Sequence, residues 1–153
     1  MKIKQNEKLP RRINAAGLAL IKQFEGLRTE AYICPAGVLS IGYGHTKGVQ
    51  KGDVCTEAEA EVFLLEDLED ASIAVTELVT VPLNENQFSA LVSFVFNVGR
   101  TNFKESTLLT LLNVGRYGSA ARQFGRWVFA NKKRLAGLAA RRKAEEDLFN
   151  QTC

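Results

Sequence analysis

Glu25 is the carboxylate best placed to do acid–base chemistry. It closes an amphipathic stretch, immediately before Gly26 and a glycine-rich region. A carboxyl group half shielded by Phe24 and Leu27 can hold a proton and deliver it as a general acid. The same position also suits a solvated glutamate at a helix end. His45 is the single histidine of the chain. It reads either as an acid–base group or as a hydrogen-bonded structural residue. Gly42, Gly44 and Gly48 surround it. Their Gly-Tyr-Gly-His spacing fits neither a dinucleotide fingerprint nor a phosphate-binding loop. The cysteines, Cys34, Cys55 and Cys153, are scattered and form no CxxC pair. With one histidine for company they predict no structural zinc site and no disulfide framework, as in a chain made in a reducing cytosol.

These residues need elements to hold them. Asn14 can cap a helix that runs through Leu18, Ile21 and Phe24 to Gly26. Pro35 and five glycines from Gly37 to Gly52 then break helical periodicity. Between them, Val38 to Ile41 and the alternation around Tyr43 predict a short β-hairpin or small sheet. Thr56 to Glu59 is a capping box for a helix ending near Leu78 or Val79, and Asn84 to Gln87 is a second, for an apolar helix ending near Gly99. Ser106 can cap a short helix to Leu112, with Gly115 as its stop. Tyr117–Val128 and Leu135–Phe149 read as two more helices. The pattern predicts one mostly helical α+β domain over residues 1–153, with two lobes and a cleft between them. One lobe holds the first helix and the β region (about 14–60), and the other the remaining helices (about 61–150).

Composition excludes several classes. The 153 residues are 46% hydrophobic and 24% charged, which fits a globular domain and not a disordered or collagen-like chain. No run approaches the ~20 apolar residues of a membrane span. The basic segment 1–12 has no apolar stretch behind it, so neither a secretory signal nor an anchor is expected. The net charge of +3 hides three blocks. Residues 1–52 carry nine Lys/Arg against three acids, 53–86 carry ten acids and no Lys/Arg, and 101–153 carry ten Lys/Arg against four acids. The basic C-terminal third suits an anionic polymer, or simply a solvated helix face.

Four ordered motifs carry a family resemblance. Phe24-Glu25-Gly26-Leu27-Arg28, Ala31-Tyr32 and Ser40-Ile41-Gly42-Tyr43-Gly44-His45-Thr46 form the first. The second runs from Asn86 to Gly99. The third joins Ser106-Thr107-Leu108-Leu109 to Phe124-Gly125-Arg126-Trp127, and the fourth runs from Gly137 to Glu145. Together, over about 14–150, they resemble the phage-type lysozymes, the endolysins of glycoside hydrolase family 24. The resemblance implies a lysozyme-like fold and cleavage of the β-1,4 bond between N-acetylmuramic acid and N-acetylglucosamine in peptidoglycan. It implies that Glu25 is the general acid. It aligns Cys34 with a family aspartate and Ser40 with a family threonine. The thiol at 34 then acts as base, as nucleophile or as a passive small residue. Glu30 and Asp53 are substitute carboxylates off the matching positions. The resemblance makes His45 structural, paired with Asp67 or Asp70; Arg141 and Arg142 read either as cleft residues against Glu25 or the substrate, or as a solvated face of the C-terminal helix. It leaves the Asn131-Lys132-Lys133 loop without a match. Phe94, Phe96 and Trp127 read as core.

The resemblance further implies a monomer without cofactor, made in the host cytoplasm, reaching the wall through a holin-type lesion. Two other readings stand beside it. A lytic transglycosylase needs one carboxylate only and leaves 1,6-anhydro ends. A non-enzymatic wall- or nucleic-acid-binding domain would use the basic third, but no DNA-reading motif is present, so no nucleic-acid partner is expected.

Overall fold

The computed structural model describes residues 11–152. Most of the basic segment 1–12, and Cys153, lie outside that range. The first helix, α1 (Ala15–Glu25), starts where the Asn14 side chain accepts from the Gly17 amide at 2.9 Å. The Asn14 amide itself donates to Ser89 Oγ at 2.9 Å, so the cap also fixes where α1 meets the central helix. A left-handed Gly26 ends α1 and sends the chain directly into a strand.

That strand, β1 (Arg28–Ile33), pairs antiparallel with β2 (Leu39–Gly42). The turn between them explains itself from sequence. Gly37 donates to the Cys34 carbonyl at 2.8 Å, with Pro35 at the position where its fixed φ fits. Gly37 then takes φ +81°, which lets Cys34 bond back to the Val38 carbonyl at 2.9 Å. The sheet thus differs from the expected one. The partner of β2 lies upstream, and Tyr43 sits in a tight loop closed by reciprocal Ile41–His45 bonds of 2.9 Å. A bridge between Glu30 and Val54 extends the other edge of β1.

Both predicted capping boxes form. They open α2 (Glu57–Leu78) and α3 (Glu85–Val98). Every residue from Phe88 to Val95 is buried, so α3 is enclosed on all sides and serves as the axis of the helical part. Around it lie α4 (Arg100–Lys104), α5 (Thr107–Asn113), α6 (Tyr117–Arg122) and α7 (Ala136–Asn150). Phe94 is the hub: Phe103, Phe124 and Trp127 all make T-shaped contacts with it at centroid distances of 5.3–6.2 Å.

The expected helix over Tyr117–Val128 is shorter than its periodicity suggests. It ends at Arg122, and a 3-10 turn (Phe124–Arg126) follows. Phe124 is fully buried against Phe94 and Phe149, and tightening the chain there brings its ring inward. A two-stranded hairpin then intervenes, β3 (Phe129–Ala130) with β4 (Lys133–Arg134). Asn131 and Lys132 form its turn at φ +51° and +65°, the primed geometry that suits a two-residue hairpin. The fold is mostly helical with small antiparallel sheets, as the α+β pattern predicted.

Candidate active site

Glu25 is the last residue of α1, and its side chain is 24% exposed. One carboxylate oxygen, Oε1, accepts from Arg141 NH1 at 2.7 Å. The other, Oε2, faces the loop after β2. A Cβ added to Gly44 would stand 3.3 Å from it, and Gly44 has φ +88°. A glycine is required there twice over: the backbone is left-handed, and a side chain would crowd the carboxylate. In sequence Gly44 is only part of a glycine pattern, because its contact with Glu25 exists only in three dimensions.

Arg141 is itself buried. It comes from α7, and its NH2 and Nε groups are tied to buried partners. NH2 donates to the Ser93 carbonyl of α3 at 3.2 Å, and Nε to Glu145 Oε2 at 3.3 Å. Ser93 Oγ donates to the same Glu145 oxygen at 2.6 Å. Glu145 is completely buried. Burial pushes its carboxyl above the ordinary value, and the two arginines and Ser93 oppose that push. Sequence reading missed Glu145 and Ser93. The available signal was helical spacing: Leu148 and Phe149 mark the inner stripe of α7, and stepping back along it reaches Glu145, Arg142 and Arg141.

Arg142 is not at the cleft, which corrects the expectation for it. Its side chain is 1% exposed, stands 2.7 Å from Glu145 Oε1 and lies over the Phe94 ring at 5.0 Å. No substrate can reach it. Burial lowers its proton affinity, and Glu145 counteracts this. His45 is also turned away from Glu25. Its Nδ1 lies 2.9 Å from Asp67 Oδ2, and its ring stacks on Phe63 at 4.5 Å. Of the two acidic candidates on α2, Asp67 is therefore the partner, and the contact pins the β2 loop to that helix.

Cys34 and Ser40 meet on the hairpin. Tyr32 pairs with Ser40, so Cys34, two residues beyond Tyr32, lies diagonally across from Ser40 on the same face. The Ser40 hydroxyl is buried and donates to the Val38 carbonyl at 3.1 Å. The backbone N–H groups of Val38 and Ala36 hold the half-buried Cys34 thiol below its ordinary value, with the Ser40 hydroxyl adding to them. Cys55 is the opposite case: burial pushes its thiol up. The structure thus joins Glu25 to Arg141 and Cys34 to Ser40. Among the described residues, no hydrogen bond or ion pair links one couple to the other. Nor do three His, Cys, Asp or Glu side chains converge as metal ligands would.

Comparison with known proteins finds relatives over most of the chain. The family model described as "Phage lysozyme" matches residues 22–145, a span that includes every residue of both couples. An endolysin of Acyrthosiphon pisum secondary endosymbiont phage 1 is 48% identical over 141 residues, covering 90% of this chain and 97% of the relative. The muramidase domain of SpmX from Asticaccaulis excentricus superposes with a TM-score of 0.87 at 42% identity, covering 93% of this chain and all of that one. A P22 lysozyme mutant superposes with a TM-score of 0.85 at 37% identity, covering 92% and 99%. The chain belongs to the phage lysozyme family and is a glycoside hydrolase, a muramidase of bacterial peptidoglycan.

Proposed function

We propose that the chain is a lytic muramidase in which Glu25 protonates the glycosidic oxygen and Cys34 with Ser40 manages the attacking water. One observation carries the assignment of Glu25. It is a carboxylate open to solvent on one side and held at 2.7 Å by a buried guanidinium on the other. In its neutral form Glu25 gives its proton to the leaving oxygen. The carboxylate that results is stabilised by Arg141 and is not left bare. Water adds to the anomeric carbon as the glycosidic bond breaks. Its proton passes to the Cys34 thiolate, whose formation the backbone amides of the turn favour. Ser40 backs the Cys34 thiol from the buried side of the hairpin. Proton return from Cys34 to Glu25 through solvent closes the cycle.

Digestion of purified peptidoglycan followed by mass spectrometry of the fragments tests this. Wild type is expected to leave reducing N-acetylmuramic acid ends, and Glu25→Gln none. Anhydro ends, with Cys34→Ser fully active, would replace the hydrolytic assignment by a transglycosylase relying on Glu25 alone.

We further propose that the protein acts as a monomer, is made in the cytoplasm and reaches the wall through a lesion opened by a separate holin. Among the described residues no helix is long and apolar enough to cross a membrane. Expression in cells without a holin is expected to leave them intact until the membrane is permeabilised. Spontaneous lysis would replace holin dependence with self-export. A sedimentation coefficient of a single 16.9 kDa chain is expected.

A further inference from the structure

We propose that Glu145 is a positioning residue for the glycosidase reaction: clamped by Arg142 and Ser93, it draws on the Arg141 guanidinium so that Glu25 is held in place without being locked as an anion. This rests on Glu25 being the acid. The difficulty it resolves is physical. A general acid must be protonated to act, yet an arginine at 2.7 Å favours the carboxylate. A lone Arg141 would oppose the reaction it helps to position.

The buried chain of charges answers that difficulty. From the surface inward, Glu25, Arg141, Glu145 and Arg142 alternate in sign. Glu145 Oε2 accepts from Ser93 Oγ at 2.6 Å, from Arg142 NH2 at 3.2 Å and from Arg141 Nε at 3.3 Å, while Oε1 stands 2.7 Å from Arg142 Nε as an ion pair. A neutral Glu145 would strand two buried guanidiniums without a counter-charge, so the ionised form is the consistent one. Its negative charge offsets the field that Arg141 exerts on Glu25. Its geometry, with the Ser93 carbonyl, leaves NH1 as the donor directed at Glu25.

Charged groups on the packed elements are otherwise paired or at least partly open to solvent, Glu146 of α7 among the latter. Lys22 of α1 pairs with Glu61 of α2, and His45 with Asp67. Arg122 of α6 and Arg126 of the 3-10 turn are exposed. From α3 only the uncharged Ser93 enters the network, and Lys143 and Asp147 pair on the outer face of α7.

The pH profile of kcat on purified peptidoglycan tests the proposal, because Glu25 must be protonated and so sets the basic limb. Removing the Glu145 charge leaves Arg141 uncompensated, favours the Glu25 anion and moves that limb to lower pH. For Glu145→Gln the expected kcat at neutral pH is about tenfold lower, with KM little changed. Glu145→Gln strands Arg142, so a second variant, Arg142→Met with Glu145→Gln, removes the inner pair together. It is expected to fold and to shift the limb in the same direction, by less. Asp147→Asn, which breaks the exposed pair on the same helix, is expected to leave the profile at its wild-type position. If Glu25→Gln is inactive while the folded double variant keeps the wild-type basic limb, Glu145 has no positioning role. An active Glu25→Gln would overturn the reading of Glu25 itself, and this inference with it.

Discussion

Glu25 and Cys34 are nine residues apart in the chain, yet they rest on unlike foundations. Glu25 stands at a helix end and is bonded to a residue from another helix 116 positions away, in a network that reaches full burial at Glu145. Cys34 stands at the tip of a two-stranded hairpin, beside the exposed Ile33 and Val38. Its support is local: turn amides and the neighbouring Ser40. A group buttressed by distant buried charges tolerates almost no change, because each partner was placed for the others. A group supported by backbone amides of a turn tolerates change in its own side chain, because those amides serve any anion. On the proposed roles, this difference is the physical contrast between the thiol at 34, where the family resemblance points to an aspartate, and the glutamate at 25.

The contrast can be broken most severely at Arg141. Arg141→Met leaves Glu145 and Glu25 short of a partner, and is expected to cost about 3–5 kcal/mol of stability, as breaking a buried pair does. Urea denaturation measures it. An effect below about 1 kcal/mol, typical of surface pairs, would mean that the network is no foundation. Gly44→Ala comes next. Its left-handed backbone should cost about 1–2 kcal/mol, and the added methyl should lower kcat by displacing Glu25. Unchanged activity would show that the loop does not position the carboxylate.

The hairpin side has its own test in the cysteines. Turn amides lower the Cys34 thiol, so its thiolate persists to lower pH than that of an ordinary cysteine; burial raises Cys55, so its thiolate recedes to higher pH. Iodoacetamide at neutral pH should therefore label Cys34 before Cys55, with loss of activity, as peptide mapping would show. Equal labelling of Cys34 and Cys55 would remove the argument for an activated thiol. The smallest effect belongs to the second hairpin. Lys132 has φ +65°, and Lys132→Gly should relieve strain of up to about 1 kcal/mol, raising Tm slightly with activity intact.

How much of this was legible in the sequence follows the same division. Capping boxes at Thr56 and Asn84 are local, and both helices start where those residues put them. The Glu25 motif and the Arg141 pairing were reachable through family resemblance. Arg142 was not, because a pair of adjacent arginines does not say which one reaches Glu25; both are buried, and Arg142 packs on Phe94 instead. Glu145 stayed hidden because Arg141 to Glu145 reads like an ordinary i,i+4 surface pair. Ser93, 52 residues earlier, gives no sequence hint of the contact. The β1 strand escaped notice because Arg28–Ile33 alternates weakly and is exposed over half its length.

The most direct test pairs one conservative change on each side. The kcat of Glu25→Asp and of Cys34→Asp would be measured on the same peptidoglycan. Shortening Glu25 by one methylene withdraws it from Arg141 and from the leaving oxygen, and should cost about 10²–10⁴-fold, the usual worth of a placed general acid. Cys34→Asp supplies an anion to the same turn amides and should stay within about tenfold of wild type. The opposite ranking, an active Glu25→Asp beside a dead Cys34→Asp, would contradict the account.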